Sequence, residues 1–292
     1  MISFLSKKIS KYAMLSGIIA ASVFCQAEKV LLEKDSLYNS IKVVEDGRFL
    51  SLYCGNGHQS MMDLQKPDRL VFNYTKTMMT SLAHSKKIPA NILLIGGGAG
   101  SIPKFIQKYF PDTKVDVVEI DPEIDKISQA YFKFNPSKNI NTFTQDGRVY
   151  IKKAQKKYDI VMLDAFRGGY IPFHLLTKEF LEETKSKLKP NGIIISNTFS
   201  GSKIRKKENG TYFAVFKNLY EMETGGNRII IADDKNIKKE DFSKRAQLID
   251  SKFNFEGMNL KNIINNQFKM VPKSDKDEPL TDDHSPAELL GD

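Results

Sequence analysis

The chain has 292 residues, 41% hydrophobic and 27% charged, a globular composition that excludes a disordered or collagen-like protein. That length suffices for one large core, or for one domain with a small appendage. The formal net charge is +9, but the lysines are scattered in small clusters such as Lys203, Arg205, Lys206 and Lys207. A solvated basic surface explains that pattern, and no nucleic-acid partner is expected.

The N-terminus has its own logic. Lys7, Lys8 and Lys11 precede the apolar run Ala13 to Phe24, and Cys25-Gln26-Ala27 ends in a small residue. This is the layout of a secretory signal, and the run is short for a membrane span. Export with residues 1–27 as leader is therefore expected, and membrane attachment through an uncleaved N-terminus is the alternative. Lipidation at Cys25 is disfavoured by the bulk of Phe24. The two cysteines (Cys25 and Cys54) and the four dispersed histidines show no ligand spacing, so no metal is expected.

Residues 28–66 read as β-rich. Lys29 to Glu33 is a strand, and Ile41 to Glu45 and Arg48 to Tyr53 flank an Asp46-Gly47 hairpin turn. From Pro67 to Leu82 the apolar spacing predicts a helix. Residues 67–292 then alternate. Strands are expected at Ile92 to Ile95, Val115 to Ile120, Asn141 to Gln145, Tyr158 to Leu163 and Ile193 to Ser196. Helices are expected after Ser101, from Pro122, from Thr177 to about Leu188, and over Ala214 to Met222, before a last strand at Arg228 to Ala232. This is an α/β pattern with a mostly parallel, doubly wound sheet covered on both faces.

In such sheets ligands bind beyond the carboxyl ends of the strands. Four strand ends carry suitable residues. Gly96 to Gly100 is a loop that a ligand can approach closely, although Ser101 spoils a strict dinucleotide fingerprint. Glu119, about twenty residues on, suits the two hydroxyls of a ribose. Asp146-Gly147 could meet an adenine amino group, and Asp146 equally suits a helix N-cap. Asp164, after a wholly apolar strand, is placed for a base or a cation anchor. Loop and acid together point to a nucleoside ligand without separating a dinucleotide from S-adenosylmethionine.

These segments, IGGGAGS (95–101), VVEIDPEI (117–124), QDGRVYI (145–151) and LDAF with IPFHLLTKEFL (163–181), resemble the spermidine synthase, or polyamine aminopropyltransferase, family. YNSIKVVEDG (38–47) and Gln59 fit the same family, and Leu280-Thr281-Asp282-Asp283 with Pro286 is similar to the endings of a divergent branch. The resemblance implies a small N-terminal β-domain and a methyltransferase-like Rossmann domain. It implies that Gly96, Gly98, Glu119, Asp146 and Gly147 contact decarboxylated S-adenosylmethionine, that Gln59 and Tyr74 face an amine such as putrescine, and that Asp164 is the catalytic base. The resemblance also implies an oligomer, since family members often form dimers or tetramers. Three positions depart from the pattern: Ala99 and Arg167 stand where the family has acids, and Thr75-Lys76 follow Tyr74 in place of a Tyr-plus-acid pair. A methyltransferase using intact S-adenosylmethionine, and a non-catalytic exported nucleoside- or polyamine-binding protein, are the alternatives.

Overall fold

The computed structural model describes residues 28–85, 87–167 and 169–283. The expected leader, and Pro286 of the tail motif, lie outside the described residues. Among those described, no helix is long and apolar enough to cross a membrane.

Strands β1 (Lys29–Asp35), β2 (Ser40–Asp46), β3 (Phe49–Cys54) and β4 (Gly57–Asp63) form an antiparallel sheet in chain order. Alternation puts Ile41, Val43, Leu50 and Leu52 on its buried face. The expected hairpin is present, shifted by one residue. Asp46 pairs with Phe49, so Gly47-Arg48 make the turn, and Gly47 takes the left-handed conformation at φ +54°. Strand β4 was not expected from the sequence. Its residues GHQSMMD look polar because Ser60 is buried against another loop rather than in an apolar core.

The second layer begins with α1 (Asn73–Met78) and a 3₁₀ turn over Met79–Ala83. The helix expected from Pro67 starts six residues late, with Leu70 buried from an irregular segment. There follow β5 (Asn91–Ile95), α2 (Ser101–Tyr109), β6 (Lys114–Glu119), α3 (Pro122–Ala130), β7 (Ile140–Thr144), α4 (Gly147–Lys153) and β8 (Tyr158–Leu163). After a 3₁₀ turn at Phe173–Leu175 come α5 (Lys178–Lys185), β9 (Leu188–Phe199), α6 (Arg205–Val215), β10 (Asn218–Thr224), β11 (Asn227–Asp233), α7 (Lys239–Phe253), α8 (Leu260–Gln267) and β12 (Lys269–Met270).

The large sheet has the order β12-β10-β11-β9-β8-β5-β6-β7. Strands β9, β8, β5, β6 and β7 run parallel, and β11, β10 and β12 add an antiparallel flank. The helix expected over Ala214 to Met222 is instead the end of α6 followed by β10. The reason is double-sided burial: Leu219 packs into the core on one face, Tyr220 and Met222 into that on the other. A strand buried on both faces loses the two-residue alternation that would have betrayed it.

The two layers share a core. Ile41, Val43, Leu52 and Met62 of the small sheet pack with Ala99, Ile124, Ile127 and Phe132 around the start of α2 and along α3. The chain winds from β5 toward β7 on one side and reaches β8 and β9 on the other. The switch point therefore lies between β5 and β8, and the small sheet sits against its carboxyl end.

Candidate active site

The loop after β5 and the loop after β8 meet at that switch point. Gly96 is held at φ +95°, and a Cβ there would lie 2.3 Å from the carbonyl oxygen of Asp164. Only glycine fits this approach. Asp164 N in turn donates to Ile95 O at 2.8 Å, which fixes the carboxylate at the head of the crevice.

Glu119, at the end of β6, faces the same loop. Its Oε2 accepts from Gly97 N (3.0 Å) and Gly98 N (3.2 Å), and its Oε1 from Asp121 N (3.1 Å). Burial raises the Glu119 carboxyl above its usual range, opposed by those backbone donors. The two backbone bonds fill Oε2, and Oε1 keeps a lone-pair site that a ribose hydroxyl can fill. Ser60 of β4 accepts from Ala99 N at 3.1 Å, so the small sheet closes the glycine loop from above.

Asp146 caps α4, its Oδ1 accepting from Val149 N at 2.9 Å, while His174 Nε2 lies 2.9 Å from its Oδ2. Gly147 has a packing reason for lacking a side chain, since a Cβ would lie 2.4 Å from Ile95 Cγ2. A cavity of about 340 Å³ runs past Gly96, Glu119, Asp146 and Asp164, with Ile120 and Leu175 among its apolar lining. Ile120 is 38% exposed, an apolar side chain spent on the cavity rather than the core. The volume, the apolar lining and the carboxylates at the rim suit an adenosine-sized ligand.

Asp164 is joined by hydrogen bonds to Asn197 and Tyr74, two side chains that line a second chamber. Burial pushes its carboxyl up to about 7, against the hydrogen bonds from Asn197 and Tyr74, and nearby Glu119 raises it further. Asn197 Nδ2 donates to Asp164 Oδ1 at 2.8 Å, and Asn227 Nδ2 donates to Asn197 Oδ1 at 2.9 Å. The second bond fixes which way the Asn197 amide points. On the far side of Asp164 a chamber of about 450 Å³ is lined by Phe72, Tyr74, Phe166, Phe199 and the two asparagines, among others. Gln59 and Phe166 line both chambers and form the partition.

A spermine/spermidine synthase domain matches residues 71–211. A polyamine aminopropyltransferase from Vibrio vulnificus is 37% identical to this chain, covering 96% of it and 97% of the relative. The chain belongs to the polyamine aminopropyltransferase family. A probable spermidine synthase from Corynebacterium glutamicum shares the fold, with a TM-score of 0.68 over 87% of this chain and 97% of that one, at 19% identity. Human methyltransferase-like protein 13, solved in complex with SAH, is similar at 26% identity and a TM-score of 0.57, over 63% of this chain and 93% of that one.

The family's acidic positions can now be located in this aminopropyltransferase. Ala99 is fully buried in the core shared with the small sheet, so a carboxylate at that position would be desolvated. Arg167 stands exposed at the mouth of the adenosine-sized cavity, its backbone paired with Tyr170. Lys76 reaches Asn73 Oδ1 at 3.4 Å and lines neither chamber. Sequence reasoning missed Asn197, Ser60, Ile120 and the rings of Phe166 and Phe199. Asn197 had a signal, a polar residue at the end of the expected strand, one place beyond Ser196 and the apolar run Ile193 to Ile195. The others had none, because each acts through the partner that the fold brings to it.

Proposed function

We propose that this protein transfers an aminopropyl group from decarboxylated S-adenosylmethionine to an amine such as putrescine. The observation that carries this is the position of Asp164, a carboxylate raised to about 7 that lines a nucleoside-sized cavity and is hydrogen-bonded by Asn197 and Tyr74, two walls of an aromatic, amine-sized chamber. Family membership supports the same reaction.

In this reaction Gly96, Gly98 and Glu119 hold the adenosine end, with Glu119 on the ribose and Asp146 toward the base. Gln59 and Tyr74 orient the acceptor. The acceptor nitrogen attacks the methylene carbon beside the sulfonium, a carbon–nitrogen bond forms, and the carbon–sulfur bond breaks to leave a neutral thioether. Asp164 takes the proton that the nitrogen loses, and a base with a pKa near 7 is well matched to that task at neutral pH. The sulfonium is already an activated leaving group, so the step requires no metal.

One feature favours a second reading. Arg167 adds a cation at the nucleoside cavity, which would suit the carboxylate of intact S-adenosylmethionine and hence methyl transfer. Calorimetric titration of the chain with both forms separates the two. Tighter binding of the decarboxylated form, with aminopropyl-putrescine detected by mass spectrometry, is the expected result. A preference for the intact form would move the assignment to methyl transfer, and binding of neither would indicate a repurposed, non-catalytic fold. We further propose that residues 1–27 direct export, supported by their charge and hydropathy pattern, and that two copies pair as is usual in the family. Cell fractionation and light scattering test these two points.

A further inference from the structure

The second chamber is notable for the charge it lacks. Among the described residues, its lining contains no Asp, Glu, Lys or Arg. Rings are its main apolar walls, from His58, Phe72, Tyr74, Phe166 and Phe199. Phe72 stacks with Tyr74 at 5.7 Å and meets His58 edge-on at 4.9 Å, while Phe166 and Phe199 form a T-shaped pair at 5.2 Å. Asn197 and Asn227 supply amide groups, but their best-placed atoms already serve Asp164 and each other. Asp164 lies behind the lining residues Asn197 and Tyr74, which hydrogen-bond to it, and the attacking nitrogen occupies it.

A diamine entering this chamber would put one nitrogen at Asp164 and the other among rings. A desolvated ammonium without an anion is costly, and a ring face offsets only part of that cost. Each methylene group buried on the same rings adds a favourable contribution. The hydrocarbon span, rather than the second charge, is therefore what the chamber reads.

Resting on the aminopropyl-transfer reading, we propose that the acceptor is recognised through its apolar span, so that a second ammonium is dispensable and primary alkyl- and arylalkyl-monoamines are acceptors beside the diamines. Phe72, Phe166 and Phe199 are the specificity-determining residues.

The test compares putrescine, n-butylamine and phenethylamine at one pH, by turnover with decarboxylated S-adenosylmethionine and by calorimetric binding to the protein saturated with methylthioadenosine. The expected result is a kcat/KM for butylamine within about tenfold of that for putrescine, with affinities as close. A larger deficit for the monoamine in both measurements, with putrescine turned over, overturns the proposal and leaves aminopropyl transfer standing. Equal binding of both amines without turnover of either keeps the chamber's specificity and removes the transfer reading. Absence of binding by any of the three overturns both. Thr224→Asp, which places a carboxylate on the chamber wall, is expected to raise the putrescine-to-butylamine ratio at least tenfold. An unchanged ratio in a folded Thr224→Asp variant also counts against the proposal.

Discussion

The most consequential side chain is Asp164, because its two environments pull its ionisation in opposite directions. Burial holds the acid near 7, while Asn197 and Tyr74 donate to the charged form. If Asp164 is the base, kcat/KM rises with pH and levels off above about 7, the limb reporting the free enzyme. A profile that stays flat between pH 5 and 8 would remove it from that role. Asp164→Asn keeps an oxygen for Asn197 but cannot accept a proton, and the expected loss in turnover is about 10²- to 10⁴-fold with nucleoside affinity within a few-fold. Glu119→Ala should do the reverse of that affinity result. It removes charge-assisted acceptors from the ribose site and weakens nucleoside binding by about 1–3 kcal/mol, read by calorimetry. An unchanged dissociation constant would mean that Glu119 serves only the amides of Gly97 and Gly98. Both acids were visible in the sequence because each directly follows a run of apolar strand residues. Asn197 was less visible, since its meaning depends on a hydrogen bond to a residue 33 positions away.

At the scale of elements, caps and turns were legible and packing was not. The sequence predicts a helix start at Thr177, and Thr177 is the N-cap of α5, with its Oγ1 accepting from Phe180 N at 3.3 Å. Pro122 stands at the first position of α3 for the reason that proline favours that site. By contrast β4 and β10 were lost. In β4 the inward-facing Ser60 is polar because it meets the glycine loop, leaving Met62 as the apolar core position, and β10 buries both faces, so neither shows the period that marks a half-buried strand. Thr177 has a second task. Its hydroxyl donates to Asp282 Oδ1 at 2.7 Å, joining α5 to the chain's closing segment. Thr177→Val keeps the shape, loses both bonds, and should cost about 1 kcal/mol or more in denaturant unfolding. A loss below about 0.3 kcal/mol would show that water replaces the cap at no cost.

Across the whole molecule, the pH dependence of stability follows from which carboxyls the fold strains and which it relieves. Burial raises Asp164 and Glu208 to about 7, the latter despite Arg228 beside it. Between the ordinary carboxyl range and pH 7 the native state thus holds more protons than the unfolded chain, so these two groups make stability rise as pH falls through that window. His84 works the other way. Burial lowers it to about 4, so the stability it contributes is complete above its ordinary value and is lost as pH falls toward 4. His58 is lowered by burial in the same sense, and the two strongly raised acids outweigh these imidazoles. Asp282 is pulled down to about 2, chiefly by its hydrogen bonds with Arg148, which also binds Glu183 of α5. Asp63 is lowered by Arg48 in the same sense. The stability those two acids contribute is present above the ordinary carboxyl range and lost as pH falls below it. The ligand-free protein should therefore melt higher at pH 5 than at pH 8, and lower again below pH 4. The scans belong at about 0.15 M salt, where the Debye length of about 8 Å screens repulsion among the excess surface cations. Asp164→Asn removes one of the strained acids, so its melting temperature should exceed wild type at pH 8 and converge with it at pH 5. A variant with the same excess at both pH values would show that the carboxyl at 164 is not held up by the fold, and would remove the physical basis for its matched basicity at neutral pH.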